Sequence, residues 1–175
     1  MNRKPIDVGD LLVRSHHLWA AQWLLLTSGD FATAKFNAMA VGWGSLGTMW
    51  GKPFAQVVVR PGRYTRRFME QYDSFTLCAF PEEHRKAVQL LGTRSGRDGD
   101  KIAASKLTPV ASSTVAAPCF AEAELVLECR KMYWQDMDPA NFVDPAIEKN
   151  YPKKDYHRIY FGEIVAVSGT DSFRA

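Results

Sequence analysis

Phe36-Asn37-Ala38-Met39-Ala40-Val41-Gly42-Trp43, continued by Gly44-Ser45-Leu46-Gly47 and Thr48-Met49-Trp50-Gly51-Lys52-Pro53, is the stretch that decides the fold. Its first half reads as a strand, with aromatics at both ends and small or β-branched residues between. Gly42 to Gly47 then fits the spacing G-x-G-x-x-G. A dinucleotide-binding turn of that spacing must open a helix, with an acid for the ribose about 20 residues later. Thr48 to Pro53 will not make a helix, and no Asp or Glu follows until Glu70. The doubly wound nucleotide fold is excluded. Gly51-Lys52 is no phosphate loop either, since Leu46 replaces its first glycine and Pro53 its Ser/Thr.

Outward from this stretch, strand-like segments dominate. Trp23 to Thr27 precedes it, closed by a turn signal at Ser28-Gly29-Asp30. Ala55 to Val59 follows and ends at Arg60-Pro61-Gly62, and Phe75 to Phe80 stops at Pro81. Ala121 to Tyr133 and His157 to Val167 close the chain as two long strands, separated by a loop with a helical turn from Pro139 to Lys149. Helical signals are fewer. Thr65 can cap a short helix through Tyr72. Glu82 to Leu91 follows Pro81, shares a face through Ala87, Leu90 and Leu91, and is ended by Gly92. Strands outnumber helices without alternating with them, which predicts a mainly β, mostly antiparallel barrel with α-helices packed outside.

The chain has 175 residues, 46% of them apolar and 23% charged, with no linker or repeat, so residues 1–175 are expected to form one domain. Cys78, Cys119 and Cys129 form no CxxC and read as reduced, buried thiols. Met1 to Pro5 leads into no apolar segment of an export signal. The greasiest run, Leu18 to Leu26, is far shorter than the roughly 20 residues needed to span a bilayer. A cytoplasmic protein is expected.

His16-His17 point apart on any regular element, His84 sits among charges, and no HxxxH or HExxH spacing exists; no metal site is expected. No Gly-x-Ser-x-Gly elbow occurs. Charge placement says more than the net charge of +3. From Phe31 to Met69 there is no acid, yet Lys35, Lys52, Arg60, Arg63, Arg66 and Arg67 are present among Trp43, Trp50, Tyr64 and five glycines. That pattern is compatible with a basic solvated face over core aromatics, and equally with a site for an aromatic anion. Arg60-Pro61-Gly62-Arg63-Tyr64-Thr65, where a strand hands over to a helix, suits a phosphate. Ser95-Gly96-Arg97-Asp98-Gly99-Asp100-Lys101 is a polar turn between helices, capped by Asp98 or Asp100, or a loop that closes over a phosphate.

Taken together, the chain resembles the flavin reductase-like family, whose fold is the FMN-binding split β-barrel, and within it the flavoredoxin-like branch. The resemblance rests on Asn37 to Gly44, Met49 to Pro53, Val59 to Thr65, Phe75 to Leu77 and Phe80 to Glu83. It continues through Ser95 to Asp98 with Lys101, Leu107 to Pro109, Tyr156 to Arg158 and Gly162 to Ile164. It implies FMN as cofactor in a homodimer, near the subunit interface, with NADH or NADPH as electron donor and hydride transfer to flavin N5. Asn37, Met39, Ala40, Val41, Gly42 and Trp43 would lie along the isoalloxazine, with Trp50 beside it. Arg60, Arg63, Tyr64 and Thr65 would hold the phosphate. Ser95, Gly96, Arg97 and Lys101 would close the ribityl-phosphate side, and His157 would be the catalytic residue at the ring or the incoming nicotinamide. Ala40 stands where many relatives carry Thr, and Val41 where they carry a small polar residue.

Two other readings compete. One is an FMN electron-transfer protein without nicotinamide activity. The other, from a different class, is a small-barrel single-strand nucleic-acid binder using Trp43, Trp50 and Tyr64 among six basic residues. Ten acids from Glu122 onward oppose the latter, and neither nucleic acid nor membrane is expected as a partner.

Overall fold

The computed structural model describes residues 2–175. Seven strands lie in hydrogen-bonded order: β3 (Lys35–Val41), β2 (Leu24–Asp30), β6 (Ser74–Ala79), β9 (Leu125–Asp136), β10 (Arg158–Gly169), β5 (Lys52–Val59) and β4 (Gly44–Met49). A two-residue β1 (Lys4–Pro5) joins the outer part of β10, and β7 (Pro109–Val110) pairs separately with β8 (Cys119–Phe120). All pairings are antiparallel, as the pattern predicts. Strands β3 and β4 are sequence neighbours at opposite ends of this order, joined only through Gly42-Trp43.

Why the sheet curls follows from side-chain alternation. Along a strand, successive side chains point to opposite faces. Leu24 and Leu26, Met39 and Val41, Leu77 and Ala79, and Leu125, Leu127 and Cys129 pack into one cluster with Val57, Val59 and Tyr160. Leu46 of β4 reaches the same cluster, so every strand of the path faces it and the sheet wraps around it. The alternate residues Leu25, Ala38, Cys78 and Val126 form a second cluster with Val88, Leu91 and Leu107. That outer cluster lies under α3 (Arg85–Thr93) and beside α4 (Lys101–Ser105). Strand β2 is therefore buried on both faces, and its unbroken Leu24-Leu25-Leu26 run is the consequence. The three cysteines are free and buried, and burial pushes the Cys78 and Cys119 thiols up, away from reactivity.

Several boundaries differ from expectation. Ser28-Gly29-Asp30 is strand, and the reversal lies at residues 31–34. Helix α3 runs through Gly92 to Thr93, preceded by a 3-10 turn at Glu82–His84. Helix α2 (Thr65–Gln71) has Tyr64 at its N-cap, with no side-chain cap from Thr65. A π-helical turn, Leu18–Gln22, follows the short α1 (Ser15–His17). Among the described residues, no helix is long and apolar enough to cross a membrane.

One glycine sits against the aromatic core of the barrel. A Cβ on Gly162 would stand 2.6 Å from the ring of the fully buried Phe75 and 3.0 Å from Cβ of Cys129. The β9–β10 register also shifts there, between Phe161 and Gly162. Gly162→Ala should destabilise the fold by about 1–3 kcal/mol, the range for overpacking a dense core. Urea unfolding checks this, and an unchanged midpoint would show that Phe75 can move aside.

Candidate functional site

Strand β3 is the spine of the site. It pairs with β2 on one side only, so the backbone groups on its other edge are unpaired in the sheet. Met39 and Val41 point into the barrel, while Ala40 points out under α3. Gly92 of α3 sits directly on Ala40, where an added Cβ would come within 2.8 Å of the alanine methyl. This contact explains both small residues: a Thr at 40 would have to push the helix away.

At the far end of β5, Arg60 to Arg63 makes a turn, closed by the Arg63 N–H donating to the Arg60 carbonyl at 3.1 Å. That turn delivers Tyr64 and Thr65 beside β3. The buried Thr65 hydroxyl accepts from Asn37 Nδ2 at 2.7 Å, tying α2 to the strand. Gly96 lies on the same asparagine; a Cβ there would fall 2.4 Å from Asn37 Oδ1. The 95–100 loop is thereby held against β3. Asp100 caps α4 by accepting from the Ala103 N–H, as one of the two expected alternatives has it.

These elements enclose three adjoining compartments that share Arg63. The first, about 220 Å³, runs along Met39 to Trp43 and is closed by Val58, Arg60, Arg63 and His157. A second, about 240 Å³, lies between Ala40, Val41, Gly42 and the α3 residues Gln89, Gly92 and Thr93, with Trp23 as a wall. The third, about 130 Å³, is bounded by Met39, Thr65 and Ser95 and carries Arg63, Arg94, Arg97 and Lys101. Among the described residues, no Asp or Glu lines any of the three. A cavity of about 810 Å³ beside Phe80 and Arg85 is larger, but shares no residue with them.

Arg63, Arg94, Arg97 and Lys101 of the third compartment have no carboxylate lining it beside them. Burial, helped by the nearby Arg63 cation, lowers the Lys101 ammonium to about 8. Its Nζ donates to the Leu91 and Arg94 carbonyls at 2.8 and 3.0 Å, closing the end of α3. Arg63 donates to the Gly92 carbonyl at 2.6 Å, and Arg97 to the Gly62 carbonyl at 3.1 Å while lying over the Tyr64 ring. Arg60 behaves differently. Its guanidinium pairs with Asp155 at 3.0 Å and donates to the Asn150 carbonyl, which holds it in the His157 compartment, away from the cationic chamber. Of the two arginines expected to hold phosphate, only Arg63 reaches both compartments.

His157, just before β10, is buried. Its Nδ1 lies 2.8 Å from the Tyr151 hydroxyl, and its ring centroid is 5.1 Å from that of the half-exposed Trp43. Burial first, then the Arg60 charge, lowers it to about 4, so the imidazole is neutral at pH 7. A neutral imidazole donates one ring N–H without bringing a charge.

The structure brings together Met39, Ala40, Val41, Gly42, Trp43, Arg60, Arg63 and His157, and, one step along, Tyr64, Thr65, Ser95, Arg97 and Lys101. Asn37 and Gly96 stand behind them as supports. Trp50, expected beside the isoalloxazine, does not line these compartments. It occupies the β4–β5 turn at φ 54°, is 61% exposed, and contacts Tyr133 and Phe161. Sequence reasoning missed Trp23, Gln89, Thr93 and Arg94. Thr93 and Arg94 adjoin Ser95, and extending that motif two residues back would have found them. Trp23 had another signature in the structure: φ 63°, ψ 151°, a backbone region that bulky residues avoid, with Arg85 stacked 3.8 Å from its ring centre.

Comparison with known proteins agrees with this geometry. The model of the flavin reductase-like domain matches residues 17–174. No curated protein matches the sequence. Among solved structures, an FMN-binding domain of flavin reductases-like enzyme from Shewanella baltica is similar at 16% identity and TM-score 0.69, covering 96% of this chain and 77% of that one. Flavoredoxin of Desulfovibrio vulgaris is similar at 21% identity and TM-score 0.67, covering 95% and 76%. Flavoredoxin from Methanosarcina acetivorans is similar at 20% identity and TM-score 0.68, covering 97% and 74%. With a family match over nearly the whole chain and a mainly antiparallel barrel of the same architecture, this protein belongs to the flavin reductase-like family and has its FMN-binding split-barrel fold.

Proposed function

We propose that the chain is an FMN-dependent oxidoreductase that reduces its flavin with NADH or NADPH. The observation that carries this reading is the chamber where Arg63, Arg94, Arg97 and Lys101 converge without a carboxylate. Four cations confined together repel one another, and a phosphate dianion relieves that repulsion while accepting their N–H groups. The chain's residues thus fit FMN: the Thr65 and Ser95 hydroxyls add polar contacts to the phosphate. The free edge of β3 from Met39 to Gly42 supplies alternating N–H and C=O groups for the polar rim of a flat ring.

FMN, when bound, would supply the redox chemistry as the hydride acceptor. The protein's tasks are position and access. Arg63 spans all three compartments and so aligns phosphate and ring together. Trp43 and Trp23 wall the groove on its two sides. The neutral imidazole of His157 donates its free N–H toward the reacting region. No carboxylate is required to move a proton, consistent with the acid-free lining. Anaerobic mixing of FMN-loaded protein with NADH or NADPH tests the reading: bleaching at turnover rates supports it. A yellow protein that neither nicotinamide bleaches would instead be an electron-transfer flavoprotein. A colourless protein that takes up oligonucleotides in a salt-sensitive manner would be the third class. Against that class, Trp43 and Trp50 flank opposite ends of β4, about 23 Å apart along the strand, too far to form one stacking strip with Tyr64.

The working unit in this proposal is a homodimer. Trp50 meets both Tyr133 and Phe161 edge to face, Tyr133 and Phe161 also touch, and Trp50 and Tyr133 are exposed. Aromatic surface of this kind favours a buried contact, and a second copy is the occupant proposed. Sedimentation should show a dimer; a monomer that still holds FMN would refute it.

A further inference from the structure

A cavity of about 820 Å³ adjoins the cationic chamber and shares Tyr64 and Lys101 with it. Four aromatic side chains line it: Phe36 at the start of β3, and Tyr64, Phe68 and Tyr72 along α2. Phe68 and Tyr72 are stacked, 11° apart in plane with centroids 6.2 Å apart, and Tyr64 meets Phe68 edge-on. All four are half-buried, so each keeps ring surface toward solvent. Arg67 and Gln71 stand on the same wall. Across from them lies Asp100, which spends one carboxylate oxygen on the Ala103 N–H and has no partner for the other among the described residues. The reading of the cationic chamber as a phosphate site leaves this groove unused.

The volume is within the range of roughly 300–1,000 Å³ typical of small-molecule sites. Its chemistry is that of a nucleoside: aromatic faces for a base, a carboxylate oxygen for ribose hydroxyls, and cations at the end where it meets the phosphate chamber. We infer that this groove is a nucleoside subsite that takes the adenosine half of a dinucleotide whose phosphate reaches toward Lys101. The inference rests on the chamber holding the FMN phosphate. Two molecules present that adenosine, FAD as the bound flavin or the nicotinamide dinucleotide as the donor.

Titration of wild type with FMN, with FAD, and of FMN-loaded protein with AMP tests the assignment, alongside Tyr72→Ala and Phe68→Leu checked for native circular dichroism. If the adenosine belongs to the flavin, FAD binds more tightly than FMN, and both variants lose about 5- to 100-fold for FAD while keeping FMN affinity. If it belongs to the donor, FAD and FMN bind alike, AMP binds the FMN-loaded protein, and the variants weaken AMP by the same factor. Tight FMN binding, with FAD no better and AMP not bound, would overturn the subsite alone. So would folded variants that leave every affinity unchanged. Failure of both flavins to bind would instead overturn the phosphate reading on which the subsite depends.

Discussion

Replacing Arg63 with Ala weakens FMN by about 10- to 150-fold while leaving the affinity for riboflavin nearly unmoved. Among the described residues, Arg63 is the only cation that lines all three compartments. Its guanidinium donates to the Gly92 carbonyl through one nitrogen, so further donors are available to a ligand. A hydrogen bond to a charged group contributes about 1.5–3 kcal/mol, which sets the expected factor. Riboflavin lacks the phosphate, and its ring would still meet the β3 edge. For the same reason wild type should prefer FMN to riboflavin. Arg63→Lys keeps the charge but not the planar fork, and should fall between wild type and alanine. Isothermal or fluorescence titration measures all of these. Equal loss for both flavins would mean that Arg63 acts through α3 and not on phosphate, and no loss in a folded variant would move the phosphate elsewhere.

The legible parts of the fold are those where side-chain chemistry and backbone preference agree. Val57-Val58-Val59 is β-branched and buried, and its composition alone reads as strand. Strand β4, by contrast, contains Gly44, Gly47 and a threonine; it forms because β5 offers a partner edge, which composition does not reveal. Gly29 misled for a physical reason. It sits in β2 because a Cβ would fall 2.2 Å from the Lys35 carbonyl, a close approach made by the facing strand and not by a turn. Lys101 shows the limit for sites: its place near the phosphate chamber is readable, but two of its donors close the end of α3. Trp50 shows it again. Sequence places it among glycines and cations, whereas its left-handed turn conformation turns it to the aromatic surface.

His157→Ala slows flavin reduction by about 10- to 100-fold and leaves FMN affinity largely intact, the size expected when one hydrogen-bond donor is withdrawn from a reacting region. The imidazole is expected to act as a neutral donor, because burial and then the Arg60 charge lower it to about 4. The wild-type reduction rate should therefore stay flat from about pH 8 to about pH 5 and change only as the pH approaches 4. Stability reports the same group independently. The unfolded chain takes up a proton on this histidine near its ordinary 6.5, while the native protein resists until about 4. Protons therefore favour the unfolded state throughout that window, so this contribution to stability is complete above 6.5 and is lost as the pH falls to about 4. The loss from this one group is about 3 kcal/mol. Urea unfolding at about pH 7 and about pH 4.5 should show a smaller pH-dependent drop in His157→Gln than in wild type. Stopped-flow reduction of the FMN-loaded alanine variant gives the kinetic half of the test. Reduction as fast as wild type would leave His157 a purely structural partner of Tyr151, and loss of FMN would make it a binding residue.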